Sequence, residues 1–193
     1  MLSVEALGKR FGSRWVFRGI EFDLGKGDAL IICGRNGSGK STLLKILSGL
    51  AAPSEGTIKL PEGDRRTTIG LAALDMSAYA HLTVAEHLNF TATMRGCAPA
   101  LEPLLERLGL ADRRNQLAFE LSTGMRSRLK LALAIQAEPD LLLLDEPGAA
   151  MDAAGRAIVE EVCAEQRRRG VLVVATNDPS ERKLGNLELE LVG

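Results

Sequence analysis

Apolar positions along this chain follow two different periods. Two runs, Leu141-Leu-Leu-Leu144 and Val171-Leu-Val-Val-Ala175, are almost uninterrupted by polar residues. Such runs predict strands buried on both faces, and with helices between them they predict a parallel sheet covered on both sides. Helical stretches are expected at Ser41–Ser48 and Ala153–Arg169. From about 83 to 138 the pattern is also helical. Thr83-Val-Ala-Glu86 has the spacing of a capping box that opens a helix through about Met94. Pro99 to Leu108 predicts a second helix, stopped at Gly109. Thr123 to Ala137 predicts a third, with Met125, Leu129, Ala132, Leu133 and Gln136 on one stripe and Pro139 closing it. The N-terminal part instead predicts short strands, Leu2–Ala6, Trp15–Phe17, Ile20–Leu24 and the run Asp28–Cys33 that enters the next loop, punctuated at Gly12-Ser13 and Gly25-Lys-Gly27 and laid out as an antiparallel sheet. After a turn at Pro53–Gly56, strands are expected at Thr57–Leu60 and Thr68–Ala72.

The join between the apolar strand Asp28–Cys33 and the helix that follows it carries chemistry. Gly34-Arg-Asn-Gly-Ser-Gly-Lys-Ser41 fits G-x-x-x-x-G-K-[ST], in the strand–loop–helix context that a phosphate-binding loop requires. Gly34, Gly37 and Gly39 allow a tight turn and close approach of the backbone to a phosphate chain. Backbone N–H groups of such a loop, Asn36 and Ser38 included, point inward, and the helix that follows presents its positive end to the anion. Lys40 reaches β- and γ-phosphates, Ser41 is placed to ligate Mg²⁺, and Thr42 follows it on the same helix. The motif implies binding of a nucleoside triphosphate.

About a hundred residues later, Leu141–Leu144 ends in Asp145-Glu146-Pro147. Ligands of a parallel sheet sit at the carboxyl ends of its strands. Asp145 is thereby placed to hold Mg²⁺, directly or through water, and Glu146 to polarise an attacking water. Ser122, in Leu121-Ser-Thr-Gly-Met125, is a good N-cap for the helix after it, and a helix N-terminus bearing a hydroxyl and a glycine is also an anion site.

With these segments in this order the chain resembles the nucleotide-binding subunit of ABC transporters, from Leu2 to about Leu191. The Walker A loop is 34–41, the signature Leu121–Met125, the Walker B strand 141–146 and the D-loop Ala149-Ala-Met-Asp152. The resemblance implies an α/β fold: a P-loop NTPase (RecA-like) core with a mostly parallel sheet, an N-terminal antiparallel β subdomain and a helical subdomain. The expected boundaries are 1–33 and 54–72 for the antiparallel subdomain, 34–53 and 139–193 for the core, and 77–138 for the helical part with the signature helix. It further implies two cassettes meeting head to tail, with MgATP between one P-loop and the other signature. Ser122, Gly124 and Asp152 would then face the partner's nucleotide. An adenine-stacking aromatic is implied at Phe11, with Trp15 the weaker match. The signature Ser122-Thr-Gly-Met125, the Leu82–Glu86 helix start and the small size resemble exporter-type cassettes, the short haem-exporter ATPases of cytochrome c maturation among them.

Two positions depart from the family pattern. Where the family has a glutamine, eight residues before the Leu82-Thr-Val start, this chain has Leu74, followed by Asp75. Leucine binds neither Mg²⁺ nor water; a one-residue slip would bring Asp75 into its place. The switch histidine position of the Thr-His pattern is held by Asn177, which donates a hydrogen bond but carries no charge. Slow hydrolysis is the expected result, with Asn177 and Glu146 as the catalytic pair. The short segment Pro61–Arg66 suggests a trimmed antiparallel subdomain.

Composition adds a few exclusions. With 193 residues, 46% of them hydrophobic, the chain has the material for one domain with a sizeable core. A net charge of −1 gives no bulk attraction to nucleic acid, and Arg113-Arg114 and Arg167–Arg169 lie in charge-mixed helical surroundings. Cys33, Cys97 and Cys163 are far apart, which predicts neither a disulfide framework nor a zinc site and fits a reducing cytosol. No apolar run approaches the ~20 residues of a membrane span. The expected setting is cytoplasmic, at the inner face of a membrane, through an integral-membrane partner subunit. A soluble cassette ATPase of a non-membrane assembly would carry the same nucleotide motifs, and a hydrolysis-impaired partner cassette would explain Leu74 and Asn177.

Overall fold

The computed structural model describes residues 1–192. Its elements in chain order are β1 (Leu2–Phe11), β2 (Arg14–Leu24), β3 (Ala29–Cys33), α1 (Lys40–Leu47), β4 (Glu55–Lys59), α2 (Arg65–Thr68), β5 (Ile69–Ala72), α3 (Val84–Arg95), α4 (Leu101–Arg107), α5 (Thr123–Ile135), β6 (Leu141–Asp145), α6 (Ala153–Arg169), β7 (Val171–Ala175) and β8 (Leu187–Glu190). A 3-10 turn, Pro179–Leu184, joins β7 to β8.

Two sheets divide the strands. The central one is parallel, in the order β5-β6-β7-β3-β8, and the second is antiparallel, in the order β2-β1-β4. Every residue of β3, β6 and β7 is buried, as their unbroken apolar runs require. Successive side chains of a strand point to opposite faces, so each strand feeds two cores. Leu142, Leu144, Leu172 and Val174 pack with α3, α5 and α6 on one face. Leu141, Leu143, Val171 and Val173 pack with α1 and the antiparallel sheet on the other. A fully buried leucine is worth roughly 1.5–3 kcal/mol over an exposed one, so both layers hold the central sheet in place.

This α/β architecture agrees with the expected fold class, but the expected subdomain boundaries need correcting. Strands β3 and β5 do not belong to the antiparallel sheet that 1–33 and 54–72 would have formed. β3 pairs in parallel with β7 and β8, and β5 with β6. The cause is burial on both faces, which only the middle layer offers. The short N-terminal strands are likewise two long ones. β1 and β2 stay paired from Leu2↔Leu24 to Phe11↔Arg14 through three register shifts. Ala6 (φ 45°) and Gly19 (φ 69°) sit where those shifts occur, and the extra residues break the alternation without breaking the ladder. Residues 65–68 of the trimmed segment form α2, capped by Asp64, whose carboxylate accepts from Arg66 N–H.

The predicted helices appear with small shifts at their ends. Thr83 and Glu86 form the reciprocal capping box of α3, and Gly96 closes it in the left-handed region at φ 72°. Gln136, expected on the apolar stripe of α5, is buried because its amide donates to Leu88 O at 2.8 Å, tying α5 to α3.

Candidate functional site

All five parallel strands present their carboxyl ends to one edge, and the P-loop starts there from β3. Gly39 is the N-cap of α1 at φ 102°, and a Cβ on it would stand 2.5 Å from Val16 Cγ1. Only glycine permits both the turn and the contact with β2. Gly37, at φ 83°, has nothing within 4 Å of its Cβ position and faces open space. No side chain caps α1, so the first N–H groups of that helix are left for an anion.

Lys40 is buried at the start of α1. Its ammonium donates to Gly34 O (2.8 Å), Arg35 O (3.3 Å) and Asn177 Oδ1 (2.8 Å). Ser38 is also buried, and its hydroxyl has no protein partner. The loop opens on a cleft of about 650 Å³. Asn36, Gly37, Gly39, Lys40, Ser41 and Thr42 form its floor, and Asp145 and Glu146 its inner wall. Gly34 lies just behind that floor, packed against Leu191 O and Ser38.

Asp145 ends β6 with its side chain buried, and its Oδ2 atom has no hydrogen-bond partner. A buried carboxylate oxygen left open, beside the Ser41 hydroxyl in one cleft, fits a hard divalent cation with oxygen ligands. Glu146 follows in the left-handed region at φ 48°, which turns its side chain out of the sheet. Its carboxylate accepts from Asn177 N (3.0 Å) and from Thr176 Oγ1 (3.2 Å). Asn177 also donates through its amide to Asn36 Oδ1. The asparagine therefore touches the P-loop, the loop lysine and the acidic residue together.

Leu74 lines the cleft and is half exposed, whereas Asp75 pairs with Lys45 outside it. The one-residue slip that would have brought Asp75 into the site is not what the fold does. Lys130 of α5 holds the backbone instead, donating to Leu74 O at 2.8 Å and to Ala73 O at 3.3 Å. Its amine lies below the usual lysine range because burial disfavours the charge.

Phe11 and Trp15 both stand at the cleft mouth. Lys9 Nζ lies 5.1 Å from the centre of the Phe11 ring. Trp15 is approached by two guanidinium groups, Arg18 at 4.7 Å and Arg10 at 5.9 Å. Phe11 is the more exposed of the two, 61% against 37%, and offers the freer face to a planar ligand.

Ser122, Gly124 and Asp152 do not line this cleft; they form a second surface. Ser122 Oγ caps α5 by accepting from Met125 N at 3.3 Å. Asp152 caps α6 through Gly155 N at 2.7 Å and pairs with Arg128 Nη2 at 2.7 Å. The Gly155 N–H first, then Arg128, hold its carboxyl below the usual range. A Cβ on Gly124 would lie 3.0 Å from Ala150 O, so the signature and the D-loop touch. Thr176, Lys130 and Arg128 take part in these two surfaces without having been singled out in the sequence. Thr176 alone had a cue, as the residue before the switch position.

The comparisons with known proteins agree with this geometry. The family described as "ABC transporter" matches residues 17–149. The "Aliphatic sulfonates import ATP-binding protein SsuB 1" of Burkholderia lata is 35% identical over 93% of this chain and 57% of its own length. The "Fe(3+) ions import ATP-binding protein FbpC 1" of Rhodococcus jostii is 33% identical over 93% of this chain and 56% of its own length. The chain thus spans a little over half the length of these curated relatives. A solved structure described as "Structure of ATP binding subunit of ABC transporter" superposes with a TM-score of 0.90 at 26% identity, covering 98% of this chain and 85% of that one.

Proposed function

The chain belongs to the ABC transporter family, and on that premise we propose that it is the ATP-binding and ATP-hydrolysing subunit of a transporter whose membrane span lies in another chain. The observation that carries the reading is the cleft itself. An uncapped helix N-terminus, a buried lysine and an unpartnered buried carboxylate oxygen converge there with a half-buried glutamate held by Thr176 and Asn177.

The triphosphate would lie along the P-loop, its charge met by loop N–H groups and by Lys40. Lys40 would exchange its bonds to Gly34 O, Arg35 O and Asn177 for phosphate oxygens. Ser41 and Asp145 would hold Mg²⁺, which when bound neutralises charge on the β- and γ-phosphates. Glu146 would orient the attacking water and accept its proton, a role worth typically ~10²–10⁴ in rate. Asn177 would donate to the γ-phosphate from its amide. Phe11 would stack on the base. The open Ser122–Gly124 and Asp152 surface would complete the site of a second cassette, head to tail.

No helix among the described residues is long and apolar enough to cross a membrane, and on the proposed reading the span belongs to a separate membrane subunit. Contact with the inner face of the membrane would then come through that subunit. The sequence style points to export, while the named relatives are import proteins. Their cargoes, a sulfonate anion and a ferric cation, are chemically opposite at nearly equal identity, so the cassette places no constraint on cargo. Uptake against release in vesicles reconstituted with the membrane subunit measures the direction. A hydrolysis-impaired cassette is the second reading, favoured by Leu74 in the cleft and Asn177 at the switch position.

ATP hydrolysis at increasing protein concentration, beside Glu146→Gln, tests the proposal. A rate rising faster than linearly, and falling about 10²-fold or more in the variant, supports a dimeric ATPase. MgATP binding without turnover would favour the impaired cassette. Absence of nucleotide binding would overturn both.

A further inference from the structure

Glu181 is a buried acid that the chemistry above does not use. It lies in the 3-10 turn after β7, with only 6% of its surface exposed. One carboxylate oxygen accepts from Gly148 N at 2.7 Å, and the other has no protein partner. Burial pushes its carboxyl above the usual range; the Gly148 N–H opposes that push, and the charges of Glu146 and Asp178 add to it. Keeping an acid in such a place costs stability unless its hydrogen bond matters.

Gly148 is two residues beyond Glu146, in the loop that runs on to Asp152. We propose that Glu181 is a positioning residue for hydrolysis, fixing Glu146 and the D-loop to the segment after β7 that carries Asn177. Three bonds clamp this loop. Glu146 N donates to Ala175 O (2.8 Å), Gly148 N to Glu181 Oε1 (2.7 Å), and Arg156 Nη1 to Met151 O (2.6 Å). The middle one is the only bond from the segment after Asn177 to the loop interior among the described residues.

The fit leaves little slack. A Cβ on Gly148 would sit 2.4 Å from Glu181 Oε1, so this glycine is what lets the carboxylate reach the backbone. Glu146 holds a left-handed backbone that glutamate does not favour, and it keeps that conformation only where its surroundings over-determine it. The Thr176 hydroxyl and the Asn177 N–H grip the Glu146 side chain from the same strand end from which Glu181 grips the loop. A shift of Gly148 would therefore re-aim the general base without touching the P-loop.

This inference rests on the ATPase reading for its kinetic arm only. Glu181→Ala and Glu181→Gln are compared with wild type for kcat, KM, affinity for a fluorescent ATP analogue, and amide hydrogen exchange across 146–152. Glutamine keeps an acceptor for Gly148 N. The expected result for Glu181→Ala is a kcat about 10²-fold lower, the scale of a misplaced reacting group, with nucleotide affinity unchanged. Exchange in the loop is expected to be roughly fivefold faster. Glu181→Gln is expected to restore both to within about threefold of wild type. Equal losses of affinity and kcat, no rescue by glutamine, or unchanged exchange would each overturn the proposal. Were wild type to show no turnover, the ATPase reading would fail, and the exchange comparison would still decide whether Glu181 holds the loop.

Discussion

Two helix N-termini in this molecule meet their first N–H groups in opposite ways. Helix α1 opens at Gly39 with no side chain on its first N–H groups, deep in the cleft. Helix α5 opens at Ser122, exposed at the surface and already capped by that serine's hydroxyl. Leaving N–H groups unmet at a buried end is costly until a ligand arrives, whereas a capped, exposed end is content alone. On the proposed reading, the difference separates a site that needs its nucleotide from a surface that would wait for one brought by a second cassette.

Removing the charge at the uncapped end should have the largest effect. Lys40→Ala is expected to weaken MgATP binding by roughly 10²-fold, the loss of charge-assisted bonds, as read by titration with a fluorescent analogue. Unchanged affinity would mean that α1 is not the anion end. At the capped end, Ser122→Asp keeps a good N-cap but adds a negative charge. It should leave the melting temperature within about 2 °C and monomer nucleotide affinity intact. Steady-state hydrolysis should still fall at least ~10-fold, because like charges would meet across the closed dimer. An unchanged rate would separate the signature surface from the reaction.

Smaller effects sharpen the same contrast inside the cleft. Asn177→His is expected to raise kcat by about 10-fold, less than the ~10²–10³ of a wholly missing transition-state donor, because asparagine still donates. No change would make the asparagine an adequate switch residue. Asp75→Ala should alter the rate by less than about twofold, since its exposed pair with Lys45 is worth ~0–1 kcal/mol. A collapse of Mg²⁺-dependent turnover would instead make Asp75 a ligand brought in on closure.

The sequence by itself determined a parallel pairing for β6 and β7, because Leu141–Leu144 and Val171–Ala175 are apolar throughout and only a doubly covered sheet accepts such strands. It also determined the loop at 34–41, the carboxylates at 145 and 146 and the caps at Ser122 and Thr83, whose meaning lies in local spacing. Three matters waited for the tertiary structure. The sheet membership of β3 and β5 depended on which layer could bury both their faces. The length of β1 and β2 depended on bulges that hide the alternation. The partners of Asp75, Asn177 and Glu181 depended on groups lying up to 141 residues away in the chain. Spacing fixes what a segment can do within a turn or a strand, but a polar side chain's partner is chosen by packing, which brings distant backbone within 3 Å and leaves no other group in reach.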